Sequence, residues 1–139
     1  MIRIDAIIKP ERVNLVLEAM SEAGCTGFTY SNVSGRGTQE GVEVFTGRGG
    51  STANRVSLPK VLITTVTDKS KQKKVIDSII SSAKTSEAGD IGDGKIFISE
   101  ITEVIRVRTG ETGTNAIWVL IYRHIKYVFN MPIFLKIYL

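Results

Sequence analysis

The residues best placed to do chemistry in this sequence form a glycine–lysine run, Gly92-Asp93-Gly94-Lys95. Together with Gly89, the run has most of the GxxxxGK spacing of a phosphate-binding P-loop. A P-loop also has Ser or Thr after the lysine and lies between a strand and a helix, whereas Ile96 follows Lys95 here. The run therefore does not predict a nucleotide hydrolase. Taken alone it is most simply a tight turn leading into a strand, although its backbone N–H groups and Lys95 could also hold an anion.

Two further groups of residues suit a phosphate ligand. Arg106 and Arg108 are two positions apart, so an extended backbone would point both guanidinium groups to one side, where they can clamp phosphate oxygens. The stretch "GRGTQEG", residues 35–41, supplies three glycines that allow close backbone approach, and Gln39 carries both a donor and an acceptor. Each feature is weak alone, and a solvated arginine on an edge strand is common. Together with the glycine–lysine run they predict a cleft for a polyphosphate.

Composition excludes several other kinds of site. Cys25 is the only cysteine and His124 the only histidine, so residues 1–117 can form no Ser-His-Asp triad, Cys-His pair, histidine metal site or intrachain disulfide. Three of the 18 basic residues and no acidic residue lie after residue 117, which leaves 15 basic against 14 acidic residues before it. That balance does not predict a nucleic-acid-binding surface. The start of the chain lacks a signal-peptide pattern, and we expect a cytoplasmic protein.

The pattern of apolar residues predicts the elements that must position these groups. Short runs rich in β-branched residues predict four strands, at residues 2–9, 27–35, 60–67 and 95–101. Helical spacing predicts one helix from Pro10 to a C-terminal cap at Gly24, and a second helix over residues 68–83. The order βαββαβ predicts an α+β, ferredoxin-like fold, with two helices on one face of an antiparallel four-stranded sheet. Residues 35–57 hold six glycines and no sustained period, and so long a loop is usually functional or disordered.

With these residues assembled, the chain resembles the PII family of nitrogen-regulatory signal-transduction proteins. The resemblance covers residues 1–117 and rests on "IDAIIKPE", "GFTYSNVSGRGTQEG", "LPKV", "IGDGKIF" and "VIRVRTGETGTNAI". It implies a non-enzymatic homotrimer that holds ATP or ADP in the clefts between subunits, with Mg²⁺ beside ATP and 2-oxoglutarate as an effector. It also implies docking on ammonium transporters or nitrogen-metabolic enzymes through a long T-loop, about residues 37–57.

The resemblance further implies which residues bind the nucleotide. The positions that match are Thr29, Gly37, Gln39, Lys60, Gly92, Asp93, Gly94, Lys95, Arg106 and Arg108. Thr29 corresponds to a contact with adenine across the subunit interface. Residues 92–95 belong to the phosphate-binding B-loop, about residues 85–95, and Arg106 and Arg108 match its partner arginines.

The 2-oxoglutarate and Mg²⁺ sites are likewise implied by the resemblance. Lys60 matches the lysine beside the 2-oxoglutarate carboxylates, Gly41 would offer a backbone N–H there, and Gln39 would coordinate the Mg²⁺ ion.

Several positions depart from the family pattern. The T-loop stretch "VEVFTGRGGSTANRVS" has no tyrosine, so uridylylation is not expected and no modification is predicted. Arg48 is either a solvated loop residue or a partner-binding residue that enters a transporter pore. Thr64 stands where relatives often have an acid near adenine, which leaves base selectivity open. The approach to the B-loop is about three residues longer than usual, with Ser86 in place of a glycine, and this change could alter nucleotide affinity.

Residues 118–139 lie beyond the family pattern. The segment is apolar, but Arg123, Lys126 and Lys136 break the run and Pro132 interrupts a helix, so we predict no stable membrane insertion. We hypothesise that this segment is an unselected extension that is either poorly ordered or loosely packed.

Three alternatives to the full sensor stay open. The first is an adenine-nucleotide energy sensor of the same type that does not respond to 2-oxoglutarate. The second is an enzyme that uses bound ATP, against which stand the missing histidine and P-loop hydroxyl. The third is an RNA-binding ferredoxin-like module, against which stand the near-neutral charge and the absent [KR]-G-[FY]-[GA]-F pattern.

Overall fold

The structure is a computed structural model and describes residues 1–37, 43–45, 52–54 and 57–117. The predictions for Gln39, Gly41, Arg48 and residues 118–139 lie outside the described residues. The chain divides into a first unit, Met1–Thr102, and a second unit, Glu103–Leu139.

The first unit contains a sheet covered by two helices on one face. In chain order its elements are β1 (Ile2–Ile8), α1 (Val13–Glu22), β2 (Phe28–Gly35), β3 (Glu43–Phe45), β4 (Thr52–Asn54), β5 (Leu58–Thr67), α2 (Gln72–Ala83) and β6 (Gly94–Glu100). Short 3₁₀ turns, Pro10–Arg12 and Lys69–Lys71, lead into the two helices. The main sheet is antiparallel in the order β2-β5-β1-β6. The predicted α+β, ferredoxin-like fold is confirmed.

The prediction was incomplete between β2 and β5. Residues 35–57 were expected to lack regular structure, but β3 and β4 pair there as a separate two-stranded antiparallel sheet. Three-residue strands are too short for an alternating apolar pattern to show in the sequence.

The core lies between the sheet and the helices. Along β1 every second residue is buried, from Ile2 to Ile8, because alternate side chains of a strand point to the same face. On β5 the buried positions alternate in the same way and include Ile63, while α1 contributes Val16 and Met20. Burying each large aliphatic side chain contributes about 1.5–3 kcal/mol. The apolar periodicity of the sequence therefore sets which sheet face is covered.

The ends of α1 follow local sequence signals. Pro10 lies in the first turn of the 3₁₀ segment. At the other end Gly24 has φ of +91°, its N–H donates to Ser21 O (3.0 Å), and the Cys25 N–H donates to Met20 O (3.0 Å). This pair of bonds is a Schellman motif, and it confirms Gly24 as the cap. Cys25 is a buried free thiol, 3.1 Å from Thr65 Oγ1.

The second unit is described over residues 103–117. It contains a bridge between Ile105 and Thr112 and one short helix, α3 (Thr114–Ile117). Within the described part of the chain, no helix has both the length and the apolar character needed to span a bilayer.

Candidate functional site

Gly94 lies where the glycine–lysine run meets β1. It has φ of +143°, and a Cβ built on it would lie 2.0 Å from the Ile7 carbonyl oxygen. Gly92 also has a positive φ, +95°. Because side chains are disfavoured at both positions, the glycines are required by the backbone path itself. The simpler sequence interpretation, a tight turn that leads into a strand, is thus confirmed.

The loop before this turn is closed by one carboxylate. Asp93 Oδ2 accepts hydrogen bonds from the backbone N–H groups of Thr85 (3.1 Å) and Asp90 (2.8 Å). Asp93 Oδ1 lies 2.7 Å from Thr85 Oγ1 and 2.9 Å from Lys9 Nζ. We name Asp93 and its three donor residues, Thr85, Asp90 and Lys9, the loop clasp.

Thr85 joins a second carboxylate to the loop clasp. Its hydroxyl lies 2.7 Å from Asp90 Oδ2 and accepts a hydrogen bond from Lys9 Nζ at 3.2 Å. The Ser86 hydroxyl donates to Asp90 Oδ1 at 3.1 Å. Since a hydroxyl has one proton, Thr85 donates to either Asp90 or Asp93 at any moment.

The loop clasp lowers the pKa of Asp93. Desolvation of the carboxyl acts to raise its pKa, but hydrogen bonds from Asp90, Thr85 and Lys9 outweigh that effect. The pKa of Asp93 is therefore held far below its ordinary value of 3.8. The carboxylate is charged and has its acceptor positions filled, so the side chain of this predicted nucleotide-binding residue faces its own loop.

Lys60 joins β5 to the same turn. Its Nζ donates to the Gly92 carbonyl oxygen at 2.5 Å. Lys95 pairs with Ile7, and Ile7 pairs with Leu62, two residues beyond Lys60. By strand alternation Lys60 and Lys95 therefore share the sheet face opposite the helices, which we name the open face.

Thr29 also lies on the open face, but away from the turn at residues 92–94, which we name the glycine turn. It pairs with Thr64, four residues along β5 from Lys60, a separation of about 13 Å at the usual rise per residue. The Thr64 hydroxyl donates to Asp5 Oδ1 at 2.6 Å, and Arg3 Nε lies 2.9 Å from Asp5 Oδ2. Asp5 thus places a carboxylate beside Thr64, at the position where an acid is missing from β5.

The structure does not place the two arginines side by side on an extended strand, so that prediction was wrong. Residues 107–109 form a turn, which Gly110, with φ of +67°, closes by donating to Arg106 O at 2.8 Å. The Arg106 guanidinium forms an ion pair with Glu111 and donates to Ala116 O at 2.8 Å. Arg108 is exposed. Arg106 therefore links the turn to the end of α3 within residues 103–117, while Arg108 presents its charge to solvent.

A cavity of about 450 Å³ lies beneath the loop that precedes β6. Its lining comes from β1, α2, the loop and β6, and consists of Ile8, Ile79, Ile80, Ala83, Lys84, Ala88, Gly89, Asp90, Asp93, Gly94, Lys95 and Ile96. Neither Thr29 nor Lys60 lines it. This cavity therefore shares Asp93, Gly94 and Lys95 with the predicted nucleotide site but does not include its Lys60 or Gly92. Gly37, also assigned to that site, is exposed just beyond the end of β2.

Sequence reasoning missed the partners of Asp93. Lys9 was assigned to a strand, and Thr85 and Asp90 were counted only as parts of a longer loop. A single signal was available, namely that Asp93 is a residue type whose short side chain bonds to nearby backbone N–H groups.

Comparisons with known proteins find related sequences over most of the chain. The family model described as "Nitrogen regulatory protein P-II" matches residues 1–111. Nitrogen regulatory protein P-II 2 of Methanothermobacter thermautotrophicus is 46% identical over 116 residues, covering 82% of this chain and 95% of the relative. Nitrogen regulatory protein P-II of Rhizobium meliloti is 44% identical over 118 residues, covering 83% and 98%. That of Nostoc punctiforme is 42% identical over 116 residues, with the same coverage of 83% and 98%.

The matches span most of this chain and nearly all of each relative, and each relative is named as a regulatory protein. Regulators of this family act on other proteins and are not enzymes. The chain belongs to the P-II family of nitrogen regulatory proteins.

Proposed function

We propose that this chain regulates nitrogen metabolism by sensing ATP and ADP at the glycine turn. The observation that carries this proposal is the 2.5 Å contact between Lys60 Nζ and the Gly92 carbonyl oxygen. The contact brings an ammonium group from β5 to the turn, and Lys95 adds a second, exposed ammonium on the same face. Two cations beside a glycine turn suit the negative charge of a polyphosphate. The family resemblance also assigns Arg106 and Arg108 to phosphate binding.

The charge on Asp93 does not oppose this proposal. A free carboxylate at the turn would repel phosphate, but Asp93 is paired with Lys9 and saturated by donors within its own loop. Its contribution to nucleotide binding is through the backbone that it holds.

A second part of the proposal concerns 2-oxoglutarate. Lys60 is bonded to a neutral carbonyl oxygen, and a ligand carboxylate is the stronger partner for an ammonium group. Binding of 2-oxoglutarate would thus draw Lys60 from Gly92. Gln39 and Gly41 would supply the remaining contacts.

Mg²⁺ would enter this site together with ATP. Within the described residues there is no group of three or more His, Cys, Asp or Glu side chains that could hold a metal ion. Mg²⁺ commonly takes most of its ligands from phosphates and water, so ATP with Gln39 suits it.

The open face supports assembly as a homotrimer. Phe97 on this face is 52% exposed, and Ile7, Leu62 and Val66 around it are half-buried. Within the first unit, α1 and α2 both pack on the other face of the sheet. Further copies of the chain would bury these side chains, and Thr29 would then meet the cleft of a neighbouring subunit.

Signalling would proceed by a population shift in the T-loop, residues 37–57. ATP with 2-oxoglutarate, as against ADP, would favour different T-loop states, and only some states would fit a cytoplasmic enzyme or an ammonium transporter. The coupling equals the difference in ligand affinity between those states, commonly about 1–3 kcal/mol. Arg48 would contact the partner.

The test is isothermal titration calorimetry of ATP and ADP, each with and without Mg²⁺ and 2-oxoglutarate. Lys60→Met and Lys95→Met remove one ammonium each, and we expect both variants to lose about tenfold or more in ATP affinity. Lys74→Met on the exposed side of α2 is the matched control and should bind as the wild type does.

Each outcome has a distinct meaning. ATP binding that tightens with 2-oxoglutarate supports the full sensor, and loss of that effect in Lys60→Met assigns it to Lys60. ATP binding that ignores 2-oxoglutarate leaves the alternative, an energy sensor alone. Absence of binding to either nucleotide would refute the proposal.

A further inference from the structure

We propose that the loop clasp is a positioning device: Asp93, held by Lys9, Thr85 and Asp90, fixes the glycine turn in the shape that receives phosphate. The inference rests on the proposed nucleotide site. It assigns Asp93 a role that favours phosphate binding, although the negative charge of a carboxylate at this place would by itself weaken the binding of an anion.

The geometry of the two backbone bonds carries the first step. Thr85 lies just after α2 and Asp90 lies near the end of the loop, yet their N–H groups converge on one oxygen, Asp93 Oδ2, at 3.1 and 2.8 Å. A single oxygen therefore ties the two ends of the loop together. The residues between Thr85 and Asp90 therefore form a loop whose two ends are bonded to the same side chain. Because this loop closes on itself, its extra length need not displace residues 92–95.

The Lys9 ammonium carries the second step. It lies 2.9 Å from Asp93 Oδ1. Lys9 directly follows β1, the strand that pairs with β6. The ion pair fixes the loop to the sheet as well as to itself. Both side chains are mostly buried, at 17% and 15% exposure, so solvent screens the pair less than it screens a surface pair.

The consequence for the turn follows from chain connectivity. Gly92 and Gly94 flank Asp93 directly, and both have positive φ. Fixing Asp93 fixes the peptide groups on either side of it, and Gly92 O is also bonded to Lys60. The loop clasp and Lys60 thus both hold the turn before any ligand arrives.

The decisive variant is Asp93→Asn, because a charge-only role and a positioning role of Asp93 predict opposite changes in ATP affinity. If Asp93 were only a negative charge near the phosphates, its removal would tighten ATP binding. If the loop clasp positions the turn, the same variant weakens ATP binding by about tenfold although it removes repulsion. Glu87→Gln removes the same charge from an exposed residue of the same loop that has no part in the loop clasp, and we expect its ATP affinity to be unchanged or slightly higher.

Hydrogen exchange gives a readout that needs no nucleotide. In the ligand-free protein, Asp93→Asn should speed amide exchange at Thr85 and Asp90 by about tenfold. The amide of Ala23, which caps α1 and is bonded to Ala19 O, should stay unchanged. Unchanged exchange at both loop amides would overturn the positioning role. If the wild-type protein bound no nucleotide, the proposed function would fail while this exchange result would still decide whether the loop clasp exists.

Substitutions at Thr85 keep the test independent of how well Asp93→Asn folds. Thr85→Ser retains both the hydroxyl and the backbone N–H and should bind ATP as the wild type does. Thr85→Val loses only the hydroxyl, which lies 2.7 Å from Asp93 Oδ1, and should weaken ATP binding by a few-fold, about threefold. Equal affinities in the two Thr85 variants together with tighter binding in Asp93→Asn would refute the loop clasp.

Discussion

The helix-facing side of the sheet and the loop before β6 are held by different forces. On the helix-facing side the contacts are almost entirely apolar, and Ile4, Ile8 and Ile63 are each 1% exposed. In the loop there is little apolar burial, and the conformation depends on hydrogen bonds that converge on Asp93. Apolar packing on the helix-facing side tolerates small shifts of its side chains. The hydrogen bonds of the loop, in contrast, are lost when a single acceptor oxygen of Asp93 is replaced.

This difference explains where each region can be disrupted. Apolar stabilisation is roughly proportional to buried area, so the core loses stability gradually as atoms are removed. A carboxylate with four donors has no substitute among its neighbours, so loss of its charge affects every bond at once. The predictions that follow test this contrast, from the largest expected effect to the smallest.

Gly94→Ala should lower the free energy of unfolding the most, because Gly94 packs directly against the backbone of β1 where the loop joins the sheet. The new Cβ would lie 2.0 Å from the Ile7 carbonyl oxygen at a φ of +143°. The clash and the backbone strain together should cost about 4 kcal/mol or more of the free energy of unfolding. Denaturant unfolding measures this cost. Gly27→Ala is the control, because a Cβ there meets nothing within 4 Å, and equal stability of the two variants would contradict the prediction.

Ile63→Ala should come next, because it leaves a cavity at the centre of the covered face. Ile63 lies on β5, an inner strand of the sheet, and is 1% exposed. We expect a loss of about 3 kcal/mol, measured by urea unfolding with an unchanged slope. Leu15→Ala on α1, where the side chain is 48% exposed, should cost less than about 1 kcal/mol. If both variants lost the same stability, the core would not be the dominant apolar cluster.

The same contrast decides how much of the structure the sequence predicts. The buried residues of β1 and β5 alternate, and those of α1 recur at helical spacing, so their elements and their shared face follow from periodicity. Gly24 predicts a helix end because only a residue tolerant of positive φ fits the cap. Apolar periodicity and the glycine cap are local or repetitive features of the sequence. They can therefore be recognised without knowing which distant residues come together.

The contacts of the loop could not be predicted in this way. Lys9 and Asp93 are 84 positions apart in the sequence, and no periodic pattern links them. The prediction that Arg106 and Arg108 lie side by side on an extended backbone was wrong for a related reason, since Gly110 turns the chain and Glu111 offers the Arg106 guanidinium a partner. Tertiary polar contacts depend on where the backbone brings single side chains, which is known only once the fold is formed.

Asp93 should also show a characteristic response to pH. Its pKa is lowered in the folded protein, so the charged carboxylate contributes stability above its ordinary pKa of 3.8 and loses that contribution as the pH falls through the folded-state pKa. Asp93→Asn should therefore be less stable than the wild type by about 2 kcal/mol near neutral pH. The difference should shrink steadily below 3.8.

Urea unfolding of both proteins across the acid range measures this difference. A gap between wild type and Asp93→Asn that stays constant down to strongly acidic pH would contradict the loop clasp. In that case the variant would act by changing shape and not by removing a charge.

The smallest effect is expected at Asp77. Its carboxylate has an exposed lysine partner on α2 but lacks the burial that Asp93 has. Asp77 forms an i,i+4 ion pair with Lys73 at 2.6 Å, but the two side chains are 58% and 88% exposed. Water and salt screen such a pair, so Asp77→Asn should change the free energy of unfolding by less than about 0.5 kcal/mol. Thermal or urea unfolding at low and high salt measures it, and the change should vanish at high salt. Asp77 and Asp93 both have a lysine partner at short distance, so a large effect at Asp77 would mean that ion-pair distance alone sets the strength. A small effect would leave burial and the convergent N–H donors as the reason that the loop clasp holds.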